Sequence, residues 1–347
     1  MTAAIRVTEP EDLDALAQFL TRIYKFGPSD HHADLDLLEW KYLRPQPQGE
    51  GNRSYLLEQK GQIMAHCGIC PVTFHLPNAT MVKSVTMMDW AADPSAPGTG
   101  IRLFRHLMEM APTSFVIGGA PPTRRIVPRL GFRLMGNAPT YSAWLRPWRE
   151  FRTRPLTARS TMRLVHGLTH PARSLKPPSL NPRSLNRRRA GWELVQVSQF
   201  DDSLLPLLNN AKQEWTFCRR TLAGLNHLLQ CPRPKMQGFL LRRAGDLAGY
   251  FVIGQVDWEA RLLDLVVDST DAKDWDLACA LVTQAARLSP AVCRIRALAA
   301  FPILRQALQS SDYWYQYQEP IMLYDPSHVL DHAFPVSFQF FDGDSGY

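Results

Sequence analysis

The chain has 347 residues, 45% hydrophobic and 20% charged, which is the composition of a globular protein with a sizeable core. Its 39 Lys and Arg against 32 Asp and Glu give a formal net charge of +7, which fits acidic or phosphorylated partners. The opening MTAAIRVTEPEDLDALAQFL lacks a secretion-signal layout, and no apolar run reaches the ~20 residues of a membrane span. The expected location is therefore the cytoplasm.

In chain order, AIRV reads as a short strand. TEPEDLDALAQFLTRIYKF follows with apolar residues at Leu13, Leu16, Phe19, Leu20 and Ile23, a helical period with acids in its first turn. SDHHADLDLLEWKYL predicts a loop running into a second helix. RSYLLEQKGQIMAHCGICPVTFHL predicts two strands around the turn Lys60-Gly61, and SVTMMDWAAD another strand. The stretch PGTG then opens the helix GIRLFRHLMEMA. SFVIGG is the next strand, RRIVPRLG a short helix closed by Gly131, and PTYSAWLRP a final strand.

Residues 146–189 carry twelve Lys or Arg against one acid, Glu150, with many Pro and Ser, which is linker composition. Such a segment is a solvated spacer or, as REFRTRPLTARSTMRLVHGL, a basic amphipathic helix for an anionic membrane surface or polyanionic glycan. No aromatic-basic interleaving or finger motif points to nucleic acid.

The second half repeats the layout. GWELVQVSQF is a strand, DDSLLPLLNNAKQ and TLAGLNHLLQC are helices, and MQGFLLRRAGDLAGYFVIGQV is a hairpin turning at Ala244-Gly245. EARLLDLVVD is a strand, DWDLACALVTQAARL a helix with Asp274 as expected N-cap, CRIRALAA a strand, PILRQALQSS a helix and EPIMLYDP a strand. The matching order implies an internal duplication. Of the six cysteines, only Cys67 and Cys70 have metal-like spacing, and no second CxxC exists, so they are expected to be reduced core thiols and no metal is expected.

Four first-half stretches make the sequence resemble the GNAT superfamily of acyl-CoA-dependent N-acyltransferases, and its tandem members in particular. These are IRVTEPEDLDALAQFL, YLLEQKGQIMAHCGICPVTF, MMDWAADPSAPGTGIRLFRHLME and SFVIGGAPPTRRIVPRLGFRLMG. LLEWKYLRP further resembles a subgroup found among polysaccharide-assembly and natural-product proteins. The resemblance implies an α/β chain of two tandem three-layer α/β/α domains with mixed, mostly antiparallel sheets. Their boundaries are expected at 1–146 and 190–326, with a basic linker 147–189 and a tail 327–347.

The family loop, Gln/Arg-x-x-Gly-x-Gly/Ala, would here be Ser95-Ala96-Pro97-Gly98-Thr99-Gly100, with Ser95 in place of the leading residue. A pyrophosphate needs bare N–H groups at a helix N-terminus, and glycines let the backbone approach. The resemblance therefore implies acetyl-CoA or another acyl-CoA as co-substrate, bound through Trp90, Ala91, Ala92, Gly98, Thr99, Gly100, Ile101 and Arg102. The equivalent second-half stretch, VVDSTDAKDWDLACA, has no glycine, and Asp268, Asp271 and Asp274 would repel a pyrophosphate, so that half is expected to bind no acyl-CoA.

The resemblance also implies direct attack of an amine on the thioester with a general base. Asp89, on the strand leading to the loop, is the first candidate, with a structural carboxylate as the alternative. His32, clustered with Asp30 and His31 in the SDHH loop that often covers the acceptor in the family, is the second, with a solvated loop as the alternative. His66 and His75 read as strand histidines, Asp93 as a turn residue, and Trp40 and Tyr42 as core or as acceptor walls. The family's Tyr before Leu-Gly-Phe is replaced by Val127, and Tyr141 is the candidate substitute for that acid. The tail FPVSFQFFDGDSGY reads as an edge strand or, through Asp342 and Asp344, as an acceptor contact.

The expected function is acyl transfer, most simply acetyl transfer, to an amino sugar, amino acid, peptide or natural-product amine. The alternatives are a catalytically silent GNAT binding module, and an aminoacyl or long-chain acyl transferase with an RNA or carrier-protein donor.

Overall fold

The structure, a computed structural model, describes residues 3–27, 30–44, 51–147, 149, 191–209, 216–330 and 336–343. The basic segment lies almost wholly outside these residues, as do Asp344 and the 210–215 part of one expected helix.

The first half runs β1 (Ala4–Val7), α1 (Leu13–Tyr24), α2 (Leu35–Tyr42), β2 (Ser54–Gln59), β3 (Gln62–His75), β4 (Met81–Ala92), α3 (Thr99–Met108), β5 (Thr113–Ile117), α4 (Pro121–Ile126) and β6 (Arg133–Trp144). The second runs β7 (Trp192–Val197), α5 (Leu205–Leu208), β8 (Phe217–Cys218), α6 (Leu222–Leu229), β9 (Lys235–Arg243), β10 (Asp246–Val256), β11 (Glu259–Val267), α7 (Ala272–Leu288), β12 (Arg294–Leu298), α8 (Pro302–Ser310) and β13 (Trp314–Tyr324). Both expected hairpin turns form, with positive φ at Lys60, Gly61, Ala244 and Gly245.

Alternation along the strands sorts side chains to two faces. Tyr55 and Leu57 of β2 pack with Leu103, Phe104 and Leu107 of α3, whereas Leu56 between them joins Leu16, Phe19 and Leu20 of α1. The second half does the same: Phe239 and Phe251 face α7 and α8, and Leu240 and Tyr250 face α6. The result is helix, sheet, helix, as the sequence predicts.

The sheet does not stop between the repeats. Among the described residues thirteen strands belong to it, and its path runs β1-β2-β3-β4-β5-β13-β6-β12-β11-β10-β9-β7 with β8 against β3. The last strand of each half is exchanged: β13 pairs with β5 at Ile321↔Ile117, and β6 pairs with β12 at Tyr141↔Ala297. β6 and β13 also pair with each other, which joins the two repeats edge to edge. A shared core including Trp40, Phe74, Phe115, Phe200, Tyr250 and Phe338 seals the junction.

Asp274 is not the N-cap of α7. Asp271 caps it, taking the Lys273 N–H at 2.9 Å, while Asp274 reaches Arg243 at 3.0 Å. No described helix is long and apolar enough to cross a membrane.

Candidate active site

β4 and β5 pair in parallel only over Ser84–Thr86 against Thr113–Phe115. Beyond this they diverge, and a cleft of about 440 Å³ opens at the splay. Met87, Phe104, Val116 and Ile117 give it apolar walls, Gly119, Ala120 and Thr123 a small-residue rim, and Tyr24, Phe26 and His32 a cover. Lys41, Asp89, Arg261, Arg296 and Tyr317 supply its polar groups, the last three from the second half.

Asp89 is placed by a β-bulge. His66 pairs with Ala91 and Gly68 with Met88, so Cys67 alone faces both Asp89 and Trp90. Asp89 takes φ 47°, which is costly for a residue with a side chain and needs support from around it. That support is His66, fully buried, with Nδ1 3.0 Å from the Asp89 carbonyl oxygen and Nε2 2.9 Å from Ser54 Oγ. A carbonyl can only accept, so Nδ1 carries the proton and Nε2 takes the Ser54 hydroxyl proton. Ser54 in turn meets Thr8 Oγ1 at 2.5 Å. Burial pushes the His66 pKa down to about 4, so the ring stays neutral.

The Asp89 side chain is 24% exposed at the base of the cleft. Lys41 Nζ and Tyr42 Oη both donate to its Oδ2, and Oδ1 has no partner among the described residues. Burial raises the carboxyl pKa, but the Lys41 ammonium and the Tyr42 hydroxyl outweigh it and hold the group below the usual carboxylate range. Tyr42 reaches Asp89 because Gly68 has no side chain: a Cβ there would stand 2.6 Å from Tyr42 Cε1. Trp40 and Tyr42 are both buried, Trp40 stacking on His227 with ring centroids 4.8 Å apart.

His32 lines the same cleft, its ring tilted against Phe26 at 5.5 Å. Burial, followed by the nearby Lys41 charge, lowers its pKa below the ordinary imidazole value. Tyr141 is not brought to the cleft. It lies on β6, 3% exposed in the core under α8, with Gln309 Nε2 3.4 Å from its hydroxyl. The exchange of β6 into the second half removes it from the first half's splay. Val127 is also core, 1% exposed. The cleft tyrosines are instead Tyr24, whose hydroxyl donates to Trp90 O at 3.0 Å, and Tyr317 of the exchanged β13.

The glycine loop sits at the N-terminus of α3. Gly98 is the N-cap in the left-handed region at φ 86°, and a Cβ there would meet nothing within 4 Å. The N–H groups of Gly98, Gly100 and Ile101 have no acceptor among the described residues, while Thr99 Oγ1 staples the turn to Ala96 O at 2.7 Å. Gly100 serves packing: a Cβ would lie 2.7 Å from Ala92 Cβ, and its carbonyl takes Trp90 Nε1 at 3.0 Å. Ala91 is buried toward α1, and Arg102 is exposed on the first turn of α3. Asp93 closes the turn, taking Ser95 N and Oγ and pairing with Arg22 at 2.6 Å. A bare N–H cradle at the start of a ten-residue helix fits a pyrophosphate.

The second half's equivalent position is closed twice over. Its helix N-terminus is capped by Asp271. Its splay, where β11 leaves β12 after Leu262↔Ala297, holds the chain's own C-terminal segment. Gln339 pairs with the β11 backbone through Oε1 to Leu265 N at 2.8 Å and Nε2 to Leu265 O at 3.0 Å, and Phe338 O takes Ala300 N at 3.2 Å. Asp342 is buried beneath this segment on Arg220 at 2.6 Å, and Arg220 also holds Asp264 at 2.8 Å. Among the described residues 336–343, the tail therefore forms no edge strand, and Asp342 is buried rather than offered to an acceptor.

No family model matches the sequence, and no curated protein matches it. Solved structures do. A tandem GNAT protein from the clavulanic acid biosynthesis pathway aligns over 93% of this chain and 98% of its own, with a TM-score of 0.57 at 11% identity. Saccharomyces cerevisiae N-myristoyltransferase with bound myristoyl-CoA aligns over 93% of this chain and 78% of its own, with a TM-score of 0.62 at 10% identity. A conserved protein of unknown function from Enterococcus faecalis V583, described as a probable N-acyltransferase, aligns over 93% and 72%, with a TM-score of 0.57 at 12% identity. The chain has the tandem GNAT fold.

Proposed function

We propose that the protein is a cytoplasmic N-acyltransferase that draws on acyl-CoA, acetyl-CoA in the simplest case, and acylates a primary amine. The observation that carries this reading is the pairing of an open splay with a bare N–H cradle in one half, against a filled splay and a self-capped helix in the other.

The bound thioester would supply the activated acyl group. The chain's residues supply the rest. The N–H groups of Gly98, Gly100 and Ile101, with the α3 dipole and the Arg102 charge, would hold the pyrophosphate. The Lys41, Arg261 and Arg296 charges favour the neutral form of an incoming amine, which is the nucleophile. As the new N–C bond forms and the C–S bond breaks, Asp89 Oδ1 takes the amine proton directly or through water, with His32 as the second acceptor at hand. The leaving thiol has a pKa of about 8.5, so departure without a tyrosine donor is chemically tolerable.

A thermal-shift series over acyl-CoAs of graded length tests the reading. Stabilisation by at least one of them, with thiol release when amines are added, is the expected result; no shift with any acyl-CoA would refute it. The buried valine at position 127 favours a second reading, a binding module without turnover, and binding without thiol release would select it.

A further inference from the structure

The second half contributes more than a wall to the cleft. On the parallel pair β11·β12, Arg261 and Arg296 are direct register partners. Like charges side by side on one sheet face are destabilising, and a fold with no use for them would separate them. Here they are held together instead. Glu259, one turn of the pleat away and only 7% exposed, accepts Arg261 Nε at 3.2 Å, Arg296 Nη1 at 3.1 Å and Arg294 Nη2. Burial raises the Glu259 pKa, but the three guanidinium groups outweigh it and keep the carboxyl ionised.

Arg296 also donates to the hydroxyl of Tyr317, on the strand exchanged between the halves, which fixes its guanidinium at the cleft. Both arginine side chains are under one-fifth exposed, yet both line the cleft. Among the cleft-lining residues Lys41, Arg261 and Arg296 are cationic and Asp89 is the sole acid. Asp89 and Lys41 neutralise each other, which leaves the arginine side of the cleft positive. The phosphates of a bound acyl-CoA have their own cradle at the N-terminus of α3, which follows β4, whereas the two arginines stand on β11 and β12 of the second half.

We infer that Arg261 and Arg296 form an anion subsite for the acceptor, whose substrate is an amine that also carries a carboxylate or a phosphate group. This rests on the acyltransfer reading of the same cleft. Paired guanidiniums bind either anion in bidentate fashion, which a lysine pair would not do as selectively. The amine would then lie toward Asp89 while its anionic end is held by the second half, so β11 and β12 give the enzyme its acceptor selectivity.

Product-like probes test this without requiring turnover. N-acetylglycine against N-acetylglycinamide, and N-acetylglucosamine 6-phosphate against N-acetylglucosamine, are titrated calorimetrically into the wild-type protein and into the R261Q/R296Q variant. In the variant Arg294 still holds Glu259, so the buried carboxylate keeps a partner. The expected result is that at least one anionic probe binds at least about tenfold tighter than its neutral counterpart, and that the variant reduces this to within about twofold. Which probe pair responds separates carboxylate from phosphate. In wild-type protein the preference should also shrink as salt rises from about 0.05 M to about 0.5 M. The inference is overturned if neither anion is preferred, or if the preference survives in the variant. Acetyl-CoA-induced stabilisation, read separately, should be unchanged in the variant; its absence in the wild type would refute the acyltransfer reading instead.

Discussion

His66 Nδ1 stands 3.0 Å from the carbonyl oxygen of Asp89, and through this contact a fully buried imidazole holds the bulge that turns the Asp89 carboxylate into the cleft. The ring is neutral in the folded protein down to about pH 4, whereas in an unfolded chain it protonates near 6.5. As pH falls through that window the unfolded state takes up a proton that the folded state refuses, so stability falls. The loss is on the order of 3 kcal/mol at the acid end. His227, lowered to about 4 by burial, adds in the same direction. Urea unfolding at about pH 7 and about pH 5 should show the decline, and His66→Gln should flatten it. Equal slopes in the two proteins would remove His66 from this role.

Asp89→Asn should lower kcat by about 10²-fold or more, the usual contribution of a positioned base, while acyl-CoA affinity stays within about twofold. It should also cost stability, since the Asp89 carboxylate no longer offsets the charge of Lys41, which is 9% exposed. Steady-state kinetics beside calorimetric titration separates the two effects. An unchanged kcat would make Asp89 a structural carboxylate, with His32 the next candidate.

Gly68→Ala should act on the same carboxylate from a distance. The new Cβ would force the Tyr42 ring away from β3, taking one of the two donors off Asp89 Oδ2. The expected result is a fall in kcat with the acyl-CoA thermal shift kept, and wild-type turnover in a folded variant would contradict it.

Arg220→Met should destabilise the second half by about 3–5 kcal/mol, because Asp264 and Asp342 would then lie buried without a counter-charge. Acyl-CoA binding to the first half should persist in the protein that remains folded. Chemical denaturation measures the first effect and calorimetry the second. A change of under about 1 kcal/mol would mean that the C-terminal segment is not fixed by this pair.

Most of the element order was legible in the sequence, because period-3.6 and period-2 apolar patterns map directly onto buried faces, as for Leu16, Phe19 and Leu20 of α1 or the alternation in SYLLEQ. Gly98 was legible as the turn that opens α3 because the preceding strand and following helix are local. What was not legible depended on long-range pairing. The exchange of β6 and β13 is a matter of which edge each strand finds, and local pattern carries no such information. The misplacement of Tyr141 follows directly from it. Lys41, Arg261, Arg296 and Tyr317 come to the cleft from four separate elements, α2, β11, β12 and β13, so no spacing could announce them. The two arginines in CRIRALAA sit at i and i+2, a same-face pair on a strand, and were the one available signal. The filling of the second splay by Gln339 had no signal beyond the missing glycines.

A single acyl-CoA site in the first half of the chain can be counted by calorimetric titration with acetyl-CoA, for wild type and Gly98→Glu. Gly98 is the better position than Gly100, because its Cβ would enter open space while that of Gly100 would strike Ala92. One site per chain is expected, lost in a Gly98→Glu protein that stays folded but is about 1–2 kcal/mol less stable, because φ at position 98 is 86°. Two sites per chain, or a single site that survives the substitution, would contradict it.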